Sequence, residues 1–179
     1  MATINYKRIL SLGASASFVL ACDQLLKAYI GATLVPNQSM RLFGQEWLQL
    51  TRLPNPGLIF QSFESLPRGQ VEFFIRYLPA LMLLGFFPLY RYLRGSPLRK
   101  FESLGFAVLY GSGLSNLWDH WHSYFVDDTL KMRLWPGSPV FPFNLADLGL
   151  CLGLILIIGT LVSEFKVEPI LSVETNSST

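Results

Sequence analysis

The sequence predicts an all-α integral membrane protein with four transmembrane helices, a small extracytoplasmic β-rich region and a short interfacial helix. Apolar residues make up 51% of the chain and charged residues only 15%, against about 25% charged in a typical soluble domain. The apolar residues also collect in four long segments. A soluble protein would need far more polar sequence to cover four such helices. We therefore expect residues 1–179 to form a single membrane domain.

The predicted spans cover residues 9–30, 76–93, 103–125 and 147–165. A helix needs about 20 residues to cross about 30 Å of hydrocarbon. Each segment reaches this length only by including a charged residue near one end; these are Asp23 with Lys27, Arg76 or Arg91, Asp119 and Asp147. The N-terminus has the basic start of a signal peptide, but apolar character resumes at Phe18, so an uncleaved first span is expected.

The basic residues predict the orientation of the spans. Lys7 and Arg8 precede the first span, and the connection between the second and third spans contains Arg91, Arg94, Arg99 and Lys100. The positive-inside rule places both regions in the cytoplasm. Both termini are then cytoplasmic, residues 31–75 and 126–146 are outer loops, and residues 166–179 form a loose tail.

The two outer loops have different patterns. "MRLFGQEWLQLTRL" (40–53) alternates polar and apolar residues, which predicts strands at the membrane surface with Trp47 at the interface. A short amphipathic helix is expected near residues 67–75. The second loop contains "WPGSP" (135–139) and is predicted to be rich in turns.

Composition excludes several other classes of protein. The net charge of +2 is mild, so a nucleic-acid partner is not expected. Cys22 and Cys151 lie in apolar segments without a neighbouring Cys or His ligand pattern, so both are interpreted as small buried apolar residues. Neither a metal nor a cofactor is predicted.

A repeated motif gives the strongest chemical signal. "NLWD" contains Asn116 and Asp119, and "NLAD" contains Asn144 and Asp147. Positions three apart share a helix face, so each acid has a carboxamide beside it. Since one outer loop joins the last two spans, Asp119 and Asp147 are predicted to face each other as a carboxylate dyad. Such a dyad can hydrolyse peptides by general acid and base catalysis.

Structural explanations compete with this hypothesis. Asn144 can serve as a helix N-cap with Asp147 as its capping-box partner. Asp23 and Lys27 are spaced to neutralise each other on one helix. Neither explanation accounts for Asp119, because an acid near the C-terminal end of a membrane helix is costly and usually functional.

These residues resemble the lipoprotein signal peptidases, also called signal peptidase II. The resemblance covers most of the chain and rests on "DQLLK" (23–27), "NPGLIF" (55–60), "SNLWDH" (115–120), "VDD" (126–128) and "FNLAD" (143–147). It implies an aspartyl endopeptidase of the bacterial inner membrane. We expect a monomer, and the predicted topology places its site near the outer leaflet. Its partners would be membrane lipids and lipid-modified prolipoproteins, which it cuts just before a diacylglyceryl-modified cysteine.

The resemblance also assigns residues. It implies that Asp119 and Asp147 are the catalytic dyad. Polar positions that support the dyad or hold the substrate would be Asp23, Lys27, Asn55, Gly57, Asn116, Asp128 and Asn144.

The chain departs from the family pattern at several positions. Ser115 replaces the usual glycine and His120 the usual arginine, which clamps an acid at any pH, whereas histidine does so only when protonated. Leu58, Ile59 and Tyr124 replace smaller residues. Two other functions therefore stay open: a relative that binds lipidated peptides without cutting them, and a small proton-coupled transport subunit.

Overall fold

The computed structural model describes residues 6–42, 46–56, 67–94, 99–123 and 125–165. The predicted tail at 166–179 and the positions Gly57, Leu58, Ile59 and Tyr124 lie outside the described residues.

Three of the predicted apolar segments lie within helices, and the third segment, 103–125, extends past the end of its helix at Ser123. Helix α1 is Tyr6–Thr33, α3 is Lys100–Ser123 and α4 is Leu145–Phe165. Helix α2 begins with Arg68–Glu72, continues through a π-helical turn at Phe73–Tyr77 and ends with Leu78–Arg94. Within the described part of the chain, two helical stretches are long and apolar enough to cross a membrane, namely Gly69–Tyr92 and Leu145–Ser163.

The interfacial helix predicted near residues 67–75 is not a separate element. Its residues begin α2 and run into the apolar stretch through the π-helical turn. A π-helical turn adds one residue to a helical turn and shifts the face on which later side chains lie. Here it contains Ile75, which is buried, and Arg76.

Both outer connections contribute strands to one antiparallel sheet. The strands are β1 (Ser39–Arg41), β2 (Leu48–Asn55), β3 (Val126–Arg133) and β4 (Val140–Phe143), in the order β1-β2-β3-β4. The strands predicted in the first connection are confirmed. The second connection contains two strands where the sequence predicts only a turn-rich loop.

The predicted turn is present between β3 and β4. Ser138 N donates to Trp135 O over 3.0 Å, and Gly137 has a φ of 86°, a value that favours glycine. The strands on either side are hard to predict, because consecutive acids at Asp127 and Asp128 interrupt the alternation of β3. Strand β3 therefore depends on its pairing with β2 and not on an alternating pattern of its own.

The sheet is tied to α1 by Arg52. Its NH1 donates to Gly31 O and to Leu34 O, each over 3.1 Å. Carbonyls at a helix C-terminus lack partners within the helix, so the guanidinium satisfies them. Strand β2, and with it the whole sheet, is thereby held over the end of α1.

Helices α3 and α4 pack through glycines. A Cβ atom at Gly153 would lie 2.8 Å from Gly105 O, and one at Gly105 would lie 2.8 Å from Gly153 O. Small residues let membrane helices approach closely. Helix α3 also packs against α1, so three helices meet beneath the sheet and can bring their polar residues together.

Candidate active site

Lys27 of α1 joins two acids. Its Nζ lies 2.5 Å from Asp23 Oδ2 and 2.6 Å from Asp119 Oδ2, and it donates to Asn116 Oδ1 over 3.3 Å. Asp23, Lys27 and Asp119 are all buried. The predicted pairing of Asp23 with Lys27 is confirmed, but the ammonium is shared with a third group on α3.

Asp147 occupies the first turn of α4. Asp147 N donates to Asn144 Oδ1 over 2.9 Å, and Asn144 N donates to Asp147 Oδ2 over 3.1 Å, so the expected capping box is present. In addition, Asn116 Nδ2 donates to Asp147 Oδ1 over 3.0 Å. The cap fixes Asp147 at the helix entrance and leaves its second oxygen facing α3.

Asp128 approaches the same place from strand β3. Its Oδ2 accepts from Asn55 Nδ2 over 2.9 Å, and its Oδ1 accepts from Asn144 Nδ2 over 3.4 Å. Asp128 is only 2% exposed. Burial raises its pKa to about 6, and the negative charge of Asp147 acts in the same direction, while the two amides and Lys27 oppose the rise.

The contacts distinguish the two possible partners of Asp147. Asp128 shares Asn144 with Asp147, and its pKa responds to the charge of Asp147. Asp119 is linked to the Asp147 carboxylate indirectly, through Lys27 and Asn116. Among the described residues, no hydrogen bond joins the carboxyls of Asp119 and Asp147 directly. The predicted pair is therefore in one network, but its members are separated by two side chains.

His120 borders an apolar cavity next to this network. The cavity has a volume of about 680 Å³. Its lining includes Asn116 and His120 and is otherwise apolar, with contributions from α2, α3 and α4. It is large enough for an apolar peptide segment or an acyl chain, and Asn116 connects it to Asp147.

Sequence reasoning missed two polar residues at the site. Gln24 Nε2 donates to Asp119 Oδ1 over 2.8 Å, and Arg76 Nε donates to His120 O over 2.9 Å. Gln24 is a polar residue inside a predicted span, which was a usable signal. The contact of Arg76 depends on the π-helical turn, which has no clear sequence signature.

The cysteines differ from their predicted state. Cys22 is half-buried and Cys151 is exposed on α4. A small apolar side chain on a helix surface suits a hydrocarbon surrounding as well as a protein core. Within the described ranges, no cluster of three or more His, Cys, Asp or Glu side chains is arranged to hold a metal ion.

Comparison with known proteins identifies the family. A protein-family model with the description "Signal peptidase (SPase) II" matches residues 15–163 of this chain. A lipoprotein signal peptidase from Moorella thermoacetica is 35% identical over 142 residues, covering 79% of this chain and 86% of that protein. One from Gloeobacter violaceus is 33% identical over 153 residues, covering 85% of this chain and 82% of that protein.

Solved structures agree with this comparison. A bacterial membrane enzyme with 25% identity has a TM-score of 0.68 over 88% of this chain and 94% of the other. A second one, 23% identical, has the same TM-score over 90% and 91% and so has the same fold. Since the family model matches most of the chain, and the Moorella protein is 35% identical over 79% of it, the chain belongs to the signal peptidase II family.

Proposed function

We propose that this protein is a membrane-embedded aspartyl endopeptidase that removes signal peptides from diacylglyceryl-modified prolipoproteins by cutting before the lipidated cysteine. Membership of the signal peptidase II family and the names of the relatives support the reaction. The observation that carries the aspartyl mechanism is a buried carboxyl with a raised pKa, Asp128, coupled to Asp147.

The catalytic pair in this proposal is Asp128 and Asp147. The sequence predicts Asp119 in the place of Asp128, and three observations favour the change. Asn144 donates to both acids, with its backbone N to Asp147 Oδ2 and with its Nδ2 to Asp128 Oδ1. The charge of Asp147 raises the pKa of Asp128. Asp119 is already occupied by the ammonium of Lys27, so it is better suited to hold the site together than to exchange protons.

Such a pair can hydrolyse a peptide bond without a covalent intermediate. One ionised carboxylate takes a proton from water while the water oxygen attacks the scissile carbonyl carbon, and the other carboxyl gives its proton to the carbonyl oxygen. This gives a gem-diol at the scissile carbon. The carbon–nitrogen bond then breaks as the nitrogen receives the proton taken from water, and the carboxyl that gave up its proton takes one back from a hydroxyl of the gem-diol, which leaves the product carboxyl. We assign the initial proton to Asp128, because its raised pKa favours the protonated form more than that of an ordinary aspartate does.

The surrounding residues have supporting roles in this proposal. Asn55 and Asn144 orient Asp128, and Asn116 orients Asp147. The apolar cavity beside Asn116 and His120 would take an apolar part of the lipidated substrate. Gly57 is proposed as a substrate contact on the family resemblance alone.

The membrane arrangement is also a proposal. All four helices would span a bacterial inner membrane as a monomer, with both termini in the cytoplasm and the site near the outer leaflet. The grouping of Arg91, Arg99 and Lys100 away from the sheet supports this orientation. A site at this depth suits a peptide that is itself anchored by lipid.

The test is cleavage of a diacylglyceryl-modified prolipoprotein peptide by purified protein in detergent with a chelator present. Asp147→Asn and Asp128→Asn are each expected to lower kcat by about 100-fold or more, as loss of a general acid or base does. Asp119→Asn should keep measurable turnover, because the Asp119 carboxylate does not exchange protons with the substrate in this proposal. All variants are first compared with wild type by thermal unfolding.

Two outcomes would change the proposal. Loss of cleavage in Asp119→Asn with retained cleavage in Asp128→Asn would restore the pair predicted from the sequence. Absence of cleavage by folded wild-type protein on several lipidated peptides would favour a relative that only binds them.

A further inference from the structure

A closed ring of five polar side chains joins α1 to α3 beneath the candidate catalytic pair. Its members are Lys27, Asp23, Ser115, Gln24 and Asp119. Lys27 forms ion pairs with Asp23 and Asp119 on one side. On the other side, Gln24 and Ser115 connect the same two acids through hydrogen bonds. No residue of this ring is free to move without breaking two contacts.

The direction of the hydrogen bonds on the second side is fixed by chemistry. Gln24 Nε2 lies 2.8 Å from Asp119 Oδ1 and 2.9 Å from Ser115 Oγ. An ionised carboxylate only accepts, so the amide nitrogen must face Asp119. Ser115 Oγ then accepts a hydrogen bond from Gln24 and donates its own hydroxyl proton to Asp23 Oδ2, over 2.7 Å. Only a hydroxyl can perform both roles at this position.

The ring is connected to Asp147 by two routes. Asp23 Oδ1 accepts from Ala146 N over 3.0 Å, and Ala146 immediately precedes Asp147 in the first turn of α4. Lys27 also donates to Asn116 Oδ1, and Asn116 Nδ2 donates to Asp147. The position of Asp147 is therefore set from two directions by the same ring.

We propose that Ser115 and Gln24 are positioning residues of this peptidase, which close the ring and hold Asp147 in its reactive place through Asp23 and Lys27. This proposal rests on the proposed function. Ser115 is fully buried and is one of the positions at which the chain departs from the family pattern. Its hydroxyl links Gln24 to Asp23 on the side of the ring opposite Lys27.

The chain offers a matched control one helical turn away. Ser112 is also fully buried on α3, but its Oγ has no hydrogen-bond partner among the described residues. Ser112→Ala and Ser115→Ala remove the same atom from two fully buried positions on one helix. Only the second change opens the ring.

The experiment measures kcat, KM and thermal stability for Ser115→Ala, Gln24→Leu, the double variant and Ser112→Ala. Opening the ring is expected to lower kcat by about tenfold at nearly constant KM, since a hydrogen bond to a charged group is lost. Ser112→Ala should stay within about twofold of wild type. The double variant should be no slower than the slower single variant, because either change opens the same ring.

Several results would overturn the proposal. A kcat equal to that of wild type in Ser115→Ala would do so. So would a double variant whose loss of kcat is the product of the two single losses, or a loss of kcat in Ser112→Ala as large as that in Ser115→Ala. If Ser115→Ala does not fold, Gln24→Leu decides alone, because Gln24 is only half-buried.

The proposed function can fail separately. If folded wild-type protein cuts no lipidated peptide, the ring is judged by the unfolding temperatures alone. An unfolding temperature of the double variant no lower than that of the less stable single variant would support the ring. A decrease equal to the sum of the two single decreases would overturn it.

Discussion

Asp147 has two roles that compete in the sequence but coexist in the structure. One oxygen closes the capping box with Asn144, and the other accepts from Asn116. The N-terminal end of a helix favours a negative side chain, so the cap holds Asp147 at a defined height without using its whole carboxylate. The sequence hypotheses of a cap and of a functional acid are therefore compatible.

Asp128 makes a pH-dependent contribution to stability. Its folded pKa of about 6 lies above the ordinary value of 3.8 because of burial and of Asp147. Between these two values the folded protein binds more protons than the unfolded chain, so this group's stabilisation is full below about pH 4 and is lost as pH rises through about 6. Asp128→Asn removes this pH-dependent contribution to the free energy of unfolding.

The free energy of unfolding of wild type, relative to Asp128→Asn, is therefore expected to fall by up to about 3 kcal/mol from pH 4 to pH 7. Denaturant unfolding of both proteins in detergent across this range measures the difference. A constant difference between wild type and variant at all pH values would contradict the assignment of a raised pKa to Asp128.

At the scale of elements, the contact between α3 and α4 decides how closely Asn116 and Asp147 approach. Gly105 and Gly153 let the two backbones touch, and the same contact carries the hydrogen bond between Asn116 and Asp147 near the sheet. Close approach of this kind depends on the absence of a side chain at both positions.

Gly153→Ala is expected to destabilise the protein by about 1 to 3 kcal/mol, the usual cost of overpacking. Its new methyl would meet Gly105 O at 2.8 Å and Leu109 N at 3.0 Å, and neither backbone atom can move easily. Gly159→Ala on the same helix has open space and should be neutral or slightly stabilising. Thermal unfolding compares the two, and equal effects would argue against the close contact.

At the scale of the whole molecule, the sheet unites the two outer connections. Pairing of β2 with β3 places Leu53 opposite Asp128 and Asn55 opposite Val126, so that the Asn55 amide reaches the Asp128 carboxylate. Arg52 fixes this sheet to the end of α1. Three helices and two strands thus converge on one site.

The proposed orientation predicts which surfaces reagents can reach. In a background with Cys22→Ala and Cys151→Ala, Arg133→Cys on β3 should react with a membrane-impermeant maleimide in intact cells. Lys100→Cys at the start of α3 should react only after the cells are opened. Both positions are exposed in the protein, so the membrane alone accounts for the difference. The reverse pattern would invert the topology.

The sequence by itself determined the helices, the cap at Asn144 and Asp147, and the pairing of Asp23 with Lys27. These follow from local periodicity and from spacings of three or four residues, which a helix turns directly into contacts.

Only the tertiary structure showed that Asp128 and Asp147 have a common hydrogen-bond donor, Asn144. The motif "NLWD" favours Asp119 because it repeats "NLAD", but Asp119 is drawn into ion pairing by Lys27 from another helix. Asp128 lies in a strand whose alternation is broken, and its site exists only once β2 supplies Asn55 and α4 supplies Asn144. Contacts between residues so far apart in sequence leave no local pattern, because burial and pairing across elements create them.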